Sequence, residues 1–223
     1  MTISIIIPVL NEALGIKEQL EKLRAIIPHG CEIIIVDGGS HDATLSIAQP
    51  LADKVVVAPE RGRATQMNTG AALATGNTLL FLHSDTRLPD NFIDSIDPLH
   101  EQCWGFFRVK LNSRQWPFRI IEAMMNLRSQ LTDVATGDQC LFVTRQFFTE
   151  MNGFDAIPIM EDVAFCKRVR QHCSPLIVDN YAITSARRWK KYGIFRTVLL
   201  MWQLRLEYFL GVSPERLVKR YES

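Results

Sequence analysis

Four short stretches of this chain end an apolar run abruptly at a side chain able to do acid–base or metal chemistry. They read SIIIPVLNE (4–12), IIIVDGGSHD (33–42), LLFLHSDT (79–86) and IPIMEDVAF (157–165). They deliver Asp37, His83, Asp85 and the adjacent pair Glu161 and Asp162. In open α/β sheets, ligands bind where strands end. Carboxylates gathered there need neutralising, and a divalent cation holding a diphosphate does so simply.

Each group also has a plain structural reading. Asp37 can accept hydrogen bonds from a base or ribose, while Gly38 and Gly39 let backbone approach a ligand closely; the alternative is a tight turn with Ser40 capping the next helix. Asp85 is a hard oxygen ligand for Mg²⁺ or Mn²⁺, and His83 suits Mn²⁺ better. On an extended segment, residues two apart face one side, so His83 and Asp85 are expected to share a ligand. One carboxylate is too few for a protein cage, so a diphosphate must add oxygens. Glu161 and Asp162, adjacent on a helix, point different ways; one can act as general base while the other packs, or both can simply stabilise a helix N-terminus. Arg61, Arg63 and the Arg187-Arg188-Trp189 cluster are shaped for phosphate and for stacking on a sugar or base, against a solvated surface or a core tryptophan.

The elements that must position these groups are legible as patterns. Residues 4–9, 32–36, 54–58 and 78–82 read as strands. Between them, Asn11 is placed to cap a helix carrying Ile16, Leu20, Leu23 and Ile27; Ser40 to cap one reaching about Ala52; and residues 64–74 form a helix closed by Gly76. That alternation implies βαβ crossovers and a largely parallel sheet. Further on, 106–111, 140–144 and 176–178 read as strands, and 117–132 and 161–171 as helices. With no repeat or linker, the expectation is one domain over 1–223: a nucleotide-sugar half (1–100), an acceptor and catalytic half (101–190) and a C-terminal helical segment (191–223).

Bulk properties exclude other classes. The 223 residues carry a net charge of +1, which offers no global basic field for nucleic acid. Neither a P-loop pattern nor G-x-G-x-x-G occurs. Cys31, Cys103, Cys140, Cys166 and Cys173 lack C-x-x-C spacing and read as reduced, mostly buried thiols. Met1 leads straight into a strand pattern, so no targeting segment is expected and a cytoplasmic location follows. The apolar stretch 192–212 is broken by Arg196, Gln203, Arg205 and Glu207, which does not suit a membrane span. It suits a helix lying in a membrane interface, or one packed on the sheet or on a second subunit.

Taken together, PVLNE, VDGGSHD, LHSDT, GDQCLFV and MEDVAF resemble the family-2 glycosyltransferases, whose fold is GT-A: a Rossmann-like α/β, mixed but mostly parallel sheet flanked by helices. RGRATQMNTGA, FLHSDT, GDQ and GVSPERL more narrowly resemble a small bacterial subgroup of that family. The resemblance implies inverting transfer of a sugar from a nucleoside-diphosphate sugar donor to an acceptor hydroxyl, assisted by a divalent metal. Nucleotide-sugar contacts then fall to Pro8, Asn11, Glu12, Asp37, Gly38, Gly39, Arg61, Arg63 and Asp85. The metal motif falls on His83-Ser84-Asp85, with His83 standing where an acid is usual. Asp162 is the implied base beside Glu161; Gly137, Asp138, Gln139 and Trp189 line the acceptor side. The acceptor is unknown, and a lipid-linked one at the inner face of a membrane stays open, as does homo-oligomer formation. A sugar nucleotidyltransferase and a non-catalytic nucleotide-sugar-binding partner protein remain the rivals; the acidic first loop and the Glu161-Asp162 pair weigh against them.

Overall fold

The computed structural model describes residues 2–97 and 103–222; Met1 and the expectation attached to it lie outside them. One eight-stranded sheet organises the chain, in the order β3-β2-β1-β4-β7-β6-β8-β5. Its first half is β1 (Ile3–Val9), β2 (Glu32–Asp37), β3 (Lys54–Val57) and β4 (Thr78–Phe81), linked through α1 (Ile16–Ile26), α2 (Thr44–Ala48) and α3 (Arg63–Leu73), with all four strands parallel. β1 is buried along its whole length, so its side chains meet apolar layers on both faces. Ile6 faces the layer with Met67 and Ala71 of α3, while Ile5 and Ile7 face the layer with Leu20 and Leu23 of α1. Burying each such isoleucine contributes roughly 1.5–3 kcal/mol.

The second half adds β5 (Thr86–Arg87), α4 (Phe92–Ile96), β6 (Trp104–Leu111), α5 (Trp116–Thr132), a 3-10 turn (Gly137–Gln139), β7 (Phe142–Thr144), α6 (Arg145–Glu150), α7 (Glu161–Val169) and β8 (Leu176–Thr184). β7 runs antiparallel to both β4 and β6, whereas β8 is parallel to β6. The chain ends in α8 (Arg187–Tyr192), α9 (Ile194–Phe209) and α10 (Pro214–Glu222).

Several local expectations are corrected. Asn11 does not cap α1: its φ is 53°, and its side chain instead accepts from His41 N at 2.9 Å. Ser40 does not cap α2, which begins only at Thr44 and lasts five residues; the Ser40 hydroxyl is taken by Asp37 and by Asn11 N. α3 ends at an extended Ala74 rather than through Gly76, which instead donates its N–H to Ser4 Oγ at 2.9 Å. β8 continues six residues past Val178. The polar Asp179-Asn180 step reads as a strand end, but it is a bulge: Phe107 pairs with Val178 and Arg108 with Tyr181. Only Cys140 and Cys166 are buried; Cys31, Cys103 and Cys173 are half-buried, and all five are free.

Candidate active site

Pro8 marks where the sheet opens. Ile6 O accepts from Leu82 N, so residue 6 and its i+2 neighbour Pro8 both face β4. Proline has no donor to continue that ladder, and the β1–β4 pairing ends at Ile6 and Phe81. The cleft therefore begins between the carboxyl ends of β1 and β4, where the strand order reverses.

Beside it, the β2 end is a self-contained turn. Asp37 is fully buried; its Oδ2 accepts from Gly39 N at 2.9 Å and Ser40 N at 2.8 Å, and its Oδ1 from the Ser40 hydroxyl. Gly39 sits at φ 92°, a conformation that side chains resist. Gln66 of α3 donates to Val9 O at 2.9 Å and Val36 O at 2.8 Å, bolting the ends of β1 and β2 together. Arg61 reaches over this turn, with Nη2 3.3 Å from His41 Nε2. Gln66 and His41 are absent from the sequence-derived site; QMN inside a helix and a histidine after a serine give no sign of these contacts. Glu12, on the β1 loop, pairs at 3.5 Å with Arg187 of α8, so that basic cluster meets the cleft through its first arginine.

The segment after β4 is not extended. Thr86 N donates to His83 O at 3.1 Å, closing a tight turn over His83-Ser84-Asp85-Thr86. The expected shared outlook of His83 and Asp85, based on strand alternation, therefore fails. His83 Nδ1 lies 3.4 Å from Asp138 Oδ1. Its Nε2 is buried without a hydrogen-bond partner, under Gly137. A Cβ on Gly137 would stand 2.1 Å from that nitrogen, so only glycine fits there. Burial pushes the Asp85 carboxyl up, and the Asp138 charge adds to this, partly offset by His83 and Arg187. For Asp138 the burial cost is outweighed by the His83 hydrogen bond and charge, Arg63 and Thr184, which hold it below its ordinary value.

Glu161 and Asp162 open α7, just after Met160 at φ 70°. They diverge as adjacent helical residues must. Asp162 Oδ2 accepts from Gly137 N at 2.8 Å and Oδ1 from Val163 N at 2.7 Å, leaving a free lone pair on each oxygen. Glu161 is buried and meets Arg63 Nη1 at 3.5 Å; burial and the Asp162 charge push its carboxyl up against Arg63. His83, Gly137, Glu161 and Asp162 line one small pocket, floored by Phe81 and Phe154. Asp85 does not line it, and joins the group through Asp138.

Two expected acceptor contacts are placed elsewhere. Gln139 is buried and its amide is spent: it accepts from Arg128 and Thr136 N, and donates to Phe107 O and Ser129 Oγ. It holds the 3-10 turn and cannot face a ligand. Trp189 is half-buried in a side cluster with Leu111, Phe118 and Ile121. Thr184 and Arg128, which sequence patterns do not reveal, do approach: Thr184 Oγ1 donates to Asp138 Oδ1 at 3.4 Å, and Asp162 and Asp138 support the Arg128 charge against burial.

Among the described residues, no group of three or more His, Cys, Asp or Glu side chains is gathered to hold a metal by itself. The donor chemistry fits a cation completed by a ligand: Asp85 is a crowded, half-buried carboxylate beside a second one.

The chain belongs to glycosyl transferase family 2, whose model matches residues 4–145; Glu161 and Asp162 lie beyond that span. It is 28% identical over 152 residues to an undecaprenyl-phosphate 4-deoxy-4-formamido-L-arabinose transferase of Pseudomonas savastanoi pv. phaseolicola, covering 61% of this chain and 44% of the relative. It is 38% identical over 91 residues to a PGL/p-HBAD biosynthesis glycosyltransferase of Mycobacterium bovis, covering 38% and 36%. The chain thus spans less than half the length of these curated relatives. Among solved structures, a mannosyltransferase of Pyrobaculum calidifontis in complex with GDP-Man and Mn²⁺ superposes with a TM-score of 0.69 at 21% identity, covering 91% of this chain and 60% of that one. S. aureus TarS in complex with UDP-GlcNAc gives 0.66 at 21% identity, covering 83% and 58%. These likenesses establish the GT-A fold.

Proposed function

We propose that this chain is an inverting glycosyltransferase that moves a sugar from a nucleoside-diphosphate donor to an acceptor hydroxyl. The observation that carries this is the common placement of Asp162, Gly137, His83 and Asp138 at one cleft, reached from three separate stretches of chain. The donor's nucleoside lies along the β1 and β2 ends, with Asp37 holding the Gly38–Ser40 turn and Arg61 and Arg63 turned to the phosphates. Pro8, Asn11 and Glu12 shape the same lip, with Asn11 bonded to Ser40 and His41 of the β2 turn. Asp162 takes the acceptor's hydroxyl proton as that oxygen bonds to the anomeric carbon; the diphosphate departs with the electron pair of the broken bond. Attack on the face opposite the leaving group inverts the anomeric centre. Glu161 and Arg63 keep the opening of α7 in place, and Gly137 N fixes the orientation of Asp162.

Asp85, with the donor's oxygens, would hold a divalent Mg²⁺ or Mn²⁺, which would supply charge neutralisation for the leaving diphosphate. His83 serves as the partner of Asp138 and not as a ligand, because its Nδ1 faces that carboxylate and its Nε2 is covered. Support for a lipid-linked acceptor comes from the Pseudomonas relative, an undecaprenyl-phosphate 4-deoxy-4-formamido-L-arabinose transferase.

The test is product analysis on a panel of nucleotide sugars with Mn²⁺ or Mg²⁺. Release of nucleoside diphosphate is expected; pyrophosphate release instead identifies a nucleotidyltransferase, and no turnover with any donor and acceptor favours a binding protein. Asp85→Ala should weaken metal-dependent nucleoside-diphosphate binding by at least about 10–100-fold in calorimetry; unchanged affinity removes Asp85 from the metal.

A further inference from the structure

α5 and α9 each leave an apolar stripe uncovered. On α9, Phe195, Leu199, Trp202, Leu206 and Phe209 recur at alternating steps of four and three, and all are exposed, Phe195 at 85%. Its opposite face packs Leu200, Met201, Leu204 and Tyr208 on the main core. On α5, Trp116, Ile120, Met124, Leu127 and Leu131 repeat at the same helical interval, with Trp116 at 73% and Leu131 at 77% exposed. Scattered exposed leucines are ordinary, whereas continuous stripes on two neighbouring helices are not. The helices are neighbours: Phe118, Ile121 and Met125 of α5 share a cluster with Trp189, Ile194 and Val198.

Charge selects the occupant. Residues 187–223 hold nine Lys and Arg against three Glu, a net +6, so the remaining 186 residues carry −5 of the chain's +1 total. Lys190, Lys191 and Arg196 stand exposed at one end of the α9 stripe, and Arg216 and Lys219 beyond the other. A second copy of this chain would bring +6 against +6. A bilayer with anionic headgroups accepts both the stripe and its basic flanks. Among the described residues, no helix is long and apolar enough to cross a membrane, so the contact is with its surface.

We infer that α5 and α9, with the basic ends of α8 and α10, form a docking face for an anionic lipid bilayer. The inference rests on exposure and charge, independent of the transfer reaction, and it would bring a lipid-linked acceptor within reach of the cleft. The experiment is sedimentation of the full chain with vesicles of phosphatidylcholine alone or with about a third phosphatidylglycerol. Partition is expected to be at least about tenfold stronger on the mixed vesicles and to fall with salt. The triple variant Leu199→Gln, Trp202→Gln, Leu206→Gln should lose about tenfold or more. Lys190→Glu with Lys191→Glu should erase the preference for phosphatidylglycerol. Circular dichroism melts identify any variant that has unfolded; the exposed charge pair provides an independent readout. Wild-type protein that ignores both vesicles, or variants that bind as wild type does, overturn the proposal. So does light scattering that shows a dimer which the triple variant splits. None of these readouts depends on turnover, so a failed transfer assay leaves the docking result intact.

Discussion

The β1–β4 half and the β5–β8 half solve the same problem differently. In the first, polar groups at strand ends are satisfied by structural partners within that half: Asp37 by its turn, Glu32 by Lys54 Nζ at 2.8 Å, Ser4 Oγ at 2.6 Å and Thr75. In the second, the partners are the candidate site groups themselves, as when Gly137 N meets Asp162 and Thr184 meets Asp138. Backbone strain follows the same divide. Of the five non-glycine residues at positive φ among the described residues, Asn11 alone lies in the first half; Asp133, Cys140, Asn152 and Met160 lie in the second. Asp133 and Cys140 bracket the 3-10 turn, and Met160 precedes the Glu161-Asp162 pair. Such conformations persist where surrounding structure over-determines them, commonly at working sites. One half is a stable platform, and the other stores the constraint that aims the chemistry.

If that division is right, Asp162→Asn should cut transfer by about 10²–10⁴-fold while leaving nucleoside-diphosphate affinity, set by the platform, nearly unchanged in calorimetry. Equal loss of both would merge the two roles. Gly137→Ala should cost about 100-fold in transfer rate, because the added carbon strikes His83 Nε2 at 2.1 Å and shifts the turn that orients Asp162; a rate within a few-fold of wild type would show the turn to be pliable.

The platform should respond in stability rather than rate. Burial raises the Glu32 carboxyl, but hydrogen bonds from Lys54, Ser4 and Thr75 outweigh it and bring it down to about 2. A folded value below the ordinary 4.5 means this stabilisation is complete above that pH and is lost as pH falls from about 4.5 to 2. Glu32→Gln should therefore cost on the order of 2–3 kcal/mol at pH 7 by denaturant titration, and progressively less below pH 4.5. A constant deficit at all pH would mean that lost packing dominates. The smallest effect is expected at Asp133, the left-handed residue ending α5 at φ 50°. Asp133→Gly should add about 0.4–1 kcal/mol to stability in thermal melts; destabilisation would argue that no strain resides there.

The same contrast explains what the sequence made legible. The first four strands are continuous apolar runs, β-branched in IIIP, IIIVD and VVV and Leu-Phe in LLF, so they announce themselves, and the parallel order follows from the helices between them. In the second half, local pattern and final placement part company. HSDT looks like a strand continuing, yet its hydrogen bond folds it into a turn. GDQ looks like a ligand-facing loop, yet Gln139 is spent on Arg128, Ser129 and backbone. Arg128, Thr184 and His41 carry no local mark, because their contacts span sequence separations that no window sees. Helix geometry alone implies that Glu161 and Asp162 point different ways, and their partners, Arg63 and Gly137 N, are different.

The bulge at Asp179-Asn180 sets a parity. β8 advances three residues while β6 advances one, an excess of two, and side chains in a strand alternate with period two. Val178, Ala182 and Thr184 therefore stay on the buried side through the bulge. Removing both residues would leave every remaining side chain on its own face and opposite its own partner, with Arg108 beside Tyr181 and Leu111 beside Thr184. Removing one would turn the whole end of the strand inside out, exposing Ala182 and burying Ile183. Change in this region is thus tolerated in pairs, and the register that brings Thr184 to Asp138 survives when two residues leave together.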